Sequence, residues 1–277
     1  MMQMPGTMSE EGIAKPWPEL SSLDRPEVLQ FVFYPRRDFL PALPAANVMS
    51  GSVPVADGIS VSFSFYFASK NCPNILFFHG NGELASDYAD IGAIFNGIGL
   101  NLFVADYRGY GRSDGSPTLS NMIADAHHIF AGFKKVLKDN GFSGKLFIMG
   151  RSLGSVSAIE LAYHYQSELN GVIIESGFVN IFNLLSYLGF PLKSLGIALP
   201  EEPSGVRIAR DIRLPALVIH GEYDSIVPLE EGKSLYRNIG AKDKHMVVIP
   251  GVDHNTIFAG GMERYLRALK DFVTAHI

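Results

Sequence analysis

The 277-residue chain contains one cysteine, no excess of basic residues and no long run of apolar residues. Because Cys72 has no second cysteine to pair with, the fold does not depend on an intrachain disulfide. The 28 acidic side chains outnumber the 23 lysines and arginines, which gives a net charge of −5 without any dense basic cluster. A nucleic acid is therefore not expected as the main partner.

No uninterrupted apolar run reaches the roughly 18 residues that a membrane-spanning helix needs. The nearest candidate, residues 182–199, is broken by Pro191 and Lys193. The N-terminus carries acidic residues and prolines where a secretory signal would have a basic start and an apolar core. These absences predict a protein without a transmembrane segment and with a cytoplasmic location.

The rest of the chain has the pattern of a layered α/β fold. Residues 59–67 alternate apolar and small polar side chains, which predicts a strand that pairs antiparallel with residues 48–55. Short apolar runs, typical of strands buried on both faces, occupy residues 74–78, 100–105, 145–149, 171–174, 214–219 and 245–249. Helical spacing separates several of these runs, most clearly from Met122 to Leu137. This alternation predicts a mostly parallel central sheet with helices on both faces.

The domain boundaries follow from the same patterns. The composition of the N-terminal segment predicts a flexible tail at residues 1–30. Residues 31–277 are then predicted to form one domain, in which residues 177–211 are a cap inserted between two strands. The cap is rich in apolar side chains, which favours an apolar group of the substrate beneath it. The alternative is that these side chains belong to the ordinary core.

The run that ends at Met149 leads directly into Gly150-Arg151-Ser152-Leu153-Gly154. A Gly-x-Ser-x-Gly sequence between a strand and a helix predicts a sharp turn, because glycines let the two backbones pass closely. Such a turn projects the serine hydroxyl from the edge of the sheet, where it is available as a nucleophile. It also leaves the backbone amide of Leu153 at a helix N-terminus, where it can stabilise an oxyanion.

Polar residues follow the other predicted strands at the edge where parallel sheets form their active sites. They are residues 79–83 (His-Gly-Asn-Gly-Glu), 106–113 (Asp-Tyr-Arg-Gly-Tyr-Gly-Arg-Ser), 220–224 (His-Gly-Glu-Tyr-Asp) and 250–254 (Pro-Gly-Val-Asp-His). A serine, then a carboxylate and then a histidine at strand ends is the chain order of an α/β-hydrolase triad.

With these segments the chain resembles the α/β-hydrolase superfamily, and within it the Bem46-like hydrolases, which include depalmitoylase-like members. The resemblance covers residues 31–277 and is carried by residues 79–82, 106–113 and 150–154. It implies that Ser152 is the nucleophile, that His254 accepts its proton, and that Asp224 orients His254.

The resemblance also implies an oxyanion hole made by the backbone amides of Leu153 and Asn81, with Gly82 as the alternative to Asn81. The arginines of residues 106–113 are open to two interpretations. They could clamp a carboxylate or phosphate, or they could brace a structural turn through internal ion pairs, which is the favoured interpretation.

Other residues compete for the acid and base roles. Glu222 and Glu175 are the alternatives to Asp224, which alone matches the family position. The alternatives to His254 are His79, His127, His128, His220 and His245. Structural roles are expected for these five, because they lie within a helix, at the start of a strand or directly before a glycine.

No metal or cofactor is expected, since the histidines and carboxylates lack a spacing such as His-Glu-x-x-His. The predicted function is that of a serine hydrolase cleaving carboxylic esters or thioesters with an apolar acyl group through an acyl-enzyme intermediate. The expected partner is a small-molecule or lipid-like acyl substrate. Aminopeptidase-like or amidase activity is the alternative, and a non-catalytic binding module is a more distant one.

Overall fold

The computed structural model describes residues 17–39 and 47–277. Across these ranges the chain forms an eight-stranded sheet with the order β1-β2-β4-β3-β5-β6-β7-β8. The strands are β1 (Val48–Ala56), β2 (Ile59–Tyr66), β3 (Asn74–Phe78), β4 (Asn101–Ala105), β5 (Leu146–Arg151), β6 (Gly171–Glu175), β7 (Ala216–Gly221) and β8 (Lys244–Ile249). Strand β2 pairs antiparallel with β1 and β4, and the other neighbours pair in parallel.

Helices cover both faces of this sheet, so the predicted α/β-hydrolase fold is confirmed. They are α1 (Pro26–Val32), α2 (Ala89–Gly97), α3 (Leu119–Asp139), α4 (Ser155–His164), α5 (Ile181–Tyr187), α6 (Ser204–Asp211), α7 (Leu229–Asn238) and α8 (Ile257–Ala275). Short 3-10 turns occupy Pro18–Leu23, Ala85–Tyr88 and Ser152–Gly154. In the described part of the chain, none of the helices is both long enough and apolar enough to traverse a bilayer.

The core lies in two layers on opposite faces of the sheet. Successive side chains of a strand point to opposite faces, and β5 supplies both layers. Ile148 packs in the cluster that contains the buried side chains of α3 and α4. Phe147 and Met149 pack in the second cluster, with buried side chains of α2 and α8. Strand β5, which is buried from Phe147 to Arg151, therefore carries its C-terminal residues to a fixed position at the sheet edge.

The N-terminal segment packs against the body of the protein. Trp17 is buried, and its Nε1 donates to Glu160 Oε2 at 2.8 Å. Glu19 accepts from the backbone amide and the hydroxyl of Ser204, each at 2.6 Å. The structure therefore differs from the predicted flexible tail over residues 17–30, because buried apolar side chains and side-chain hydrogen bonds fix this segment. Residues 1–16 of that tail lie outside the described residues.

Residues 177–211 lie between β6 and β7 and contain α5 and α6. Their buried apolar side chains include Phe178, Ile181, Phe182, Leu184, Leu185, Phe190 and Leu192. Tyr187, Leu188 and Leu199 are exposed. The carbonyl oxygen of Leu195 accepts from Arg25 at 2.8 Å, which ties this segment to the N-terminal one. Much of the apolar surface predicted for a cap thus belongs to the core, and three large side chains remain exposed.

Candidate active site

Ser152 lies at a strained turn between β5 and α4. Its φ angle is +51°, which is unusual for a residue with a Cβ atom. A Cβ atom on Gly154 would collide with the carbonyl oxygen of Phe78, and one on Gly150 would collide with the carbonyl oxygen of Gly154. The two glycines of the motif are therefore required by close backbone contact, and the turn has the geometry expected of a nucleophile elbow.

Asp224 and His254 are joined by a short hydrogen bond. His254 Nδ1 lies 2.7 Å from Asp224 Oδ2, and both side chains are buried. The other carboxylate oxygen accepts from the amides of Ile226 at 3.0 Å and Val227 at 2.8 Å. Burial alone would raise the pKa of Asp224, but the hydrogen bond and charge of His254 outweigh it and lower the pKa. An ionised Asp224 fixes the proton of His254 on Nδ1, which leaves Nε2 able to accept one.

Neither alternative acid contacts His254 in the same way. Glu175 accepts from Arg151 at 3.0 Å and from the hydroxyl of Tyr265 at 2.7 Å. Glu222 accepts from the exposed backbone amide of Gly251 at 3.0 Å. Of the three candidate carboxylates, Asp224 is the one whose oxygen lies against the imidazole of His254.

The buried histidines near the sheet edge have structural partners. His79 Nδ1 lies 2.8 Å from the carbonyl oxygen of Gly80, and His220 Nε2 lies 2.8 Å from that of Val227. Desolvation lowers the pKa of His220 and outweighs the nearby charge of Asp224. These contacts are in accord with the structural roles expected for both histidines.

Arg151 connects the elbow to the histidine loop, and the sequence did not single it out. Its Nη2 donates to the carbonyl oxygen of His254 at 2.7 Å, and its Nε donates to Glu175 Oε1 at 3.0 Å. Its Nη1 forms an ion pair with Glu83. Desolvation would lower the pKa of Arg151, but the two carboxylates raise it above its ordinary value. Because Arg151 directly precedes Ser152, its contact with the backbone of His254 links the elbow to the loop that carries this histidine.

A cavity of about 230 Å³ borders this network. Its lining includes Glu83, Arg151, Glu175 and Asn255, together with apolar side chains from α2 and α8. Ser152 and His254 are not among its lining residues. The cavity therefore lies beside the candidate active site, on the face of the sheet covered by α2 and α8.

The candidate oxyanion loop is held from the N-terminal side. Asn81 Oδ1 accepts from the backbone amide of Tyr34 at 2.9 Å and from the hydroxyl of Tyr110 at 2.7 Å. Arg36 donates to the carbonyl oxygen of Gly82 at 3.0 Å. Gly82 has a φ angle of +75°, which favours glycine at this position. The side chain of Asn81 thus helps to hold the loop, and the oxyanion role predicted for its backbone amide stays a prediction.

The loop at residues 106–113 is braced internally. Arg108 donates to both carboxylate oxygens of Asp125 at 2.7 Å, a bidentate pair. Asp106 accepts from the backbone amide of Ala85 at 2.8 Å and from the hydroxyl of Ser62 at 2.6 Å. These contacts agree with the structural interpretation of this loop rather than with an anion clamp.

The sequence matches the profile of the family described as serine aminopeptidase, S33, at residues 69–200 and 205–259. The lysophosphatidylserine lipase ABHD12 of Xenopus tropicalis is 31% identical over 233 residues, which cover 74% of this chain and 58% of that protein. The chain thus spans little more than half of that relative. The human α/β hydrolase domain-containing protein 17B is 28% identical over 228 residues, covering 79% of this chain and 73% of that protein.

Solved structures show the same fold. The Pyrococcus furiosus esterase Pf2001 superposes with a TM-score of 0.70 and 18% identity, over 87% of this chain and 98% of that one. A monoacylglycerol lipase of Paleococcus ferrophilus superposes with a TM-score of 0.56 and 18% identity, over 78% and 99%. At these identities the likeness establishes the architecture, and the chemistry must be argued from the site.

Proposed function

Because this chain belongs to the α/β-hydrolase family described as serine aminopeptidase, S33, we propose that it is a hydrolase that cleaves carboxylic esters or thioesters with an apolar acyl group. The observation that carries the proposal is the 2.7 Å hydrogen bond between Asp224 and His254, at the sheet edge where Ser152 sits on a strained elbow. The similarity to a lysophosphatidylserine lipase supports an acyl substrate. It also accords with membership in the Bem46-like subgroup, which we retain as part of the proposal.

The reaction follows from the roles of three side chains. Ser152 Oγ attacks the carbonyl carbon while His254 Nε2 accepts its proton, and Asp224 stabilises the resulting imidazolium. His254 then delivers that proton to the leaving alcohol or thiol, which departs and leaves an acyl-enzyme. A water molecule, deprotonated by His254, attacks the acyl carbonyl, and the carboxylic acid leaves as Ser152 regains its proton.

The oxyanion is assigned to the backbone amides of Leu153 and Asn81. Each donor aimed at the developing charge contributes about 3 kcal/mol to transition-state stabilisation. The Asn81 loop can supply such a donor in a fixed position, because Tyr34, Tyr110 and Arg36 hold it in place. We further propose that residues 177–211 cover the substrate, with the exposed Tyr187, Leu188 and Leu199 as the side chains available for contact.

Aminopeptidase activity is the second candidate, because the family description names it. Such an enzyme needs a carboxylate to bind the amino terminus of its substrate. The carboxylates of Glu83 and Glu175 lie beside the elbow, but both are paired with Arg151. This pairing favours an ester over a peptide.

The cytoplasmic location remains a prediction. One relative, from Saccharomyces cerevisiae and 29% identical over 208 residues, is named as a membrane protein.

The test combines covalent labelling with a substrate series. A fluorophosphonate probe is expected to label the wild-type protein and not Ser152→Ala, and p-nitrophenyl esters are expected to be hydrolysed faster as the acyl chain lengthens. Equal labelling of both proteins would refute the role of Ser152. Turnover of aminoacyl anilides without turnover of any ester would refute the substrate class and favour the peptidase.

A further inference from the structure

A second cluster of polar side chains lies between α3 and α4, away from the elbow. It consists of His127 on α3 and of Glu160 and His164 on α4. Residues 160 and 164 are four apart, so they lie on one face of their helix. His127 Nε2 is 2.8 Å from Glu160 Oε1, and His164 Nε2 is 3.1 Å from the same oxygen. The nitrogen and oxygen atoms that can bind a metal all lie within 4.8 Å of one another.

Burial makes this cluster different from a surface ion pair. The side chain of Glu160 is fully buried, while those of His127 and His164 are 10% and 25% exposed. A buried carboxylate is costly unless its oxygens are engaged by strong partners. The partial exposure of His164 also leaves a path by which a small ion can reach the three side chains.

Two of the three side chains, Glu160 and His127, have outer contacts of the kind that orient metal ligands. Trp17 Nε1 donates to Glu160 Oε2 at 2.8 Å, which leaves Oε1 directed at the two imidazoles. The hydroxyl of Tyr165 lies 2.9 Å from His127 Nδ1, which fixes the ring and leaves Nε2 as its ligating atom. Such contacts orient ligands and raise metal affinity.

From this geometry we propose that His127, Glu160 and His164 bind a divalent ion of the zinc class, with water as the remaining ligand. Two imidazole nitrogens and one carboxylate oxygen are a donor set that Zn²⁺ accepts. Ligand atoms about 2.1 Å from a tetrahedral ion are separated by about 3.4 Å. The observed separations of 2.8 and 3.1 Å need to widen by about 0.3 to 0.6 Å, and the two imidazole nitrogens, which lie within 4.8 Å of each other, need to reach a similar separation. The ion replaces the protons that the two Nε2 atoms share with Glu160.

This site was not expected from the sequence, where no short metal-binding spacing occurs. The ligands come from two helices, and His127 and Glu160 are 33 residues apart. Binding would fasten α3 to α4 and, through Trp17, to the N-terminal segment. Because zinc binds the folded chain in preference to the unfolded one, the site is expected to stabilise the fold.

The chain offers a matched control in a second histidine–carboxylate cluster. His245 and His276 lie 3.0 and 2.9 Å from different oxygens of Asp243. His245 and Asp243 are more than half exposed, and the two imidazoles do not converge on one atom. Loss of this cluster should leave zinc binding at the proposed site unchanged.

The experiment titrates zinc chloride into protein without a polyhistidine tag, followed by calorimetry and thermal unfolding. We expect one Zn²⁺ per chain and a rise in Tm of about 5 °C at a hundredfold excess over Kd. His164→Gln and His127→Gln are expected to weaken binding by at least about a hundredfold. Asp243→Asn is expected to bind zinc as the wild type does.

Each other outcome overturns the proposal. No zinc bound at one equivalent would mean that the cluster is only an ion pair. Affinity unchanged in His164→Gln, whose Tm without metal shows that it folds, would place the zinc elsewhere, as would a loss of binding in Asp243→Asn. Failure of these tests leaves the proposed esterase untouched, because neither cluster includes a residue of the triad.

Discussion

Two buried carboxylates, Asp224 and Glu160, contact histidines in opposite ways. Asp224 gives one oxygen to His254 and the other to two backbone amides. Glu160 directs one oxygen at two imidazoles and gives the other to Trp17. The two amides hold the carboxylate of Asp224 in place, and its other oxygen favours the tautomer of His254 that carries the proton on Nδ1. Glu160 instead gathers two rings around a single point.

The position of each carboxylate in the fold explains this difference. Asp224 and His254 follow the last two strands, so loops carry them to the open edge of the sheet. Glu160 lies in the middle of α4 and faces α3, where a side chain meets other side chains and no substrate. The first arrangement suits proton transfer, and the second suits a clamp between helices. Substitution of Asp224 should therefore lower activity, and substitution of Glu160 should lower stability.

Replacing Asp224 with asparagine should have the largest effect. The amide can donate to His254 Nδ1 and so favours the tautomer whose Nε2 carries a proton, which cannot accept the proton of Ser152. We expect kcat to fall by about 10⁴-fold, as measured with the best ester substrate. The amides of Ile226 and Val227 keep an oxygen acceptor, so the fold should be preserved.

The control for this prediction is Glu222→Gln, which alters the alternative acid at an exposed position. It should leave kcat within about twofold of the wild-type value, because surface substitutions have small effects. If Glu222→Gln lowered kcat more than Asp224→Asn, the acid would have been assigned to the wrong residue.

We expect Arg151→Met, at the sheet edge that carries Ser152, to lower the free energy of unfolding more than any substitution in the helix pair α3 and α4. It leaves Glu83 and Glu175 without their shared cation, and breaking a buried ion pair costs about 3–5 kcal/mol. Urea unfolding at neutral pH measures the loss. Arg210→Met breaks an exposed pair with Glu202 and should cost much less. An equal loss in both variants would show that the buried network contributes nothing beyond a surface pair.

The pH dependence of this loss follows from Glu83. Burial would raise the pKa of Glu83, but the charge of Arg151 outweighs it and holds the pKa below its ordinary value of 4.5. The unfolded chain then binds more protons than the folded one as Glu83 titrates, so the contribution to stability is complete above pH 4.5. It is lost as the pH falls through the folded pKa. The difference between wild type and Arg151→Met should therefore narrow as the pH falls below 4.5.

The sequence could predict the catalytic edge far better than the helix pair, for a physical reason. The elbow at Ser152 is a local pattern, since its glycines and the preceding apolar strand lie within a few residues. The strand ends indicated Asp224 and His254 as candidates, because an open parallel sheet forms its active site there, and the family resemblance favoured them over the alternatives. The alternation of strands and helices was enough to predict a mostly parallel sheet with helices on both faces, and the motifs and the resemblance added the α/β-hydrolase fold.

The contacts that the sequence could not predict join distant positions through side chains. Trp17 and Glu160 are 143 residues apart, and Arg151 and Glu83 are 68 apart. No periodicity signals such pairs, because they depend on how completed elements pack. The acidic, proline-containing composition of the N-terminal segment indicated a tail, but the composition could not show that the single tryptophan finds a buried acceptor.

Of the three substitutions Asp224→Asn, Arg151→Met and Glu160→Gln, the last should have the smallest effect. It should lower stability and leave kcat unchanged, whereas Asp224→Asn should lower kcat and preserve the fold. The amide keeps an oxygen for one donor, but the charge that binds both imidazoles is lost. A hydrogen bond to a charged group contributes about 1.5–3 kcal/mol. The free energy of unfolding should fall by about the contribution of one such bond. The value of kcat should not change, because the cluster lies on α3 and α4 and includes no residue of the proposed triad. Urea unfolding in the presence of a chelator, paired with ester turnover, provides both numbers.

Asp243→Asn is the matched control for the stability measurement, because Asp243 also faces two histidines but is exposed to solvent. Solvent screening makes such pairs weak, so its unfolding free energy should stay close to the wild-type value. A fall in kcat for Glu160→Gln without a fall in stability would break the comparison between the two carboxylates. It would mean that the helix pair acts on the chemistry of Ser152 through α4, whose N-terminus begins three residues after that serine.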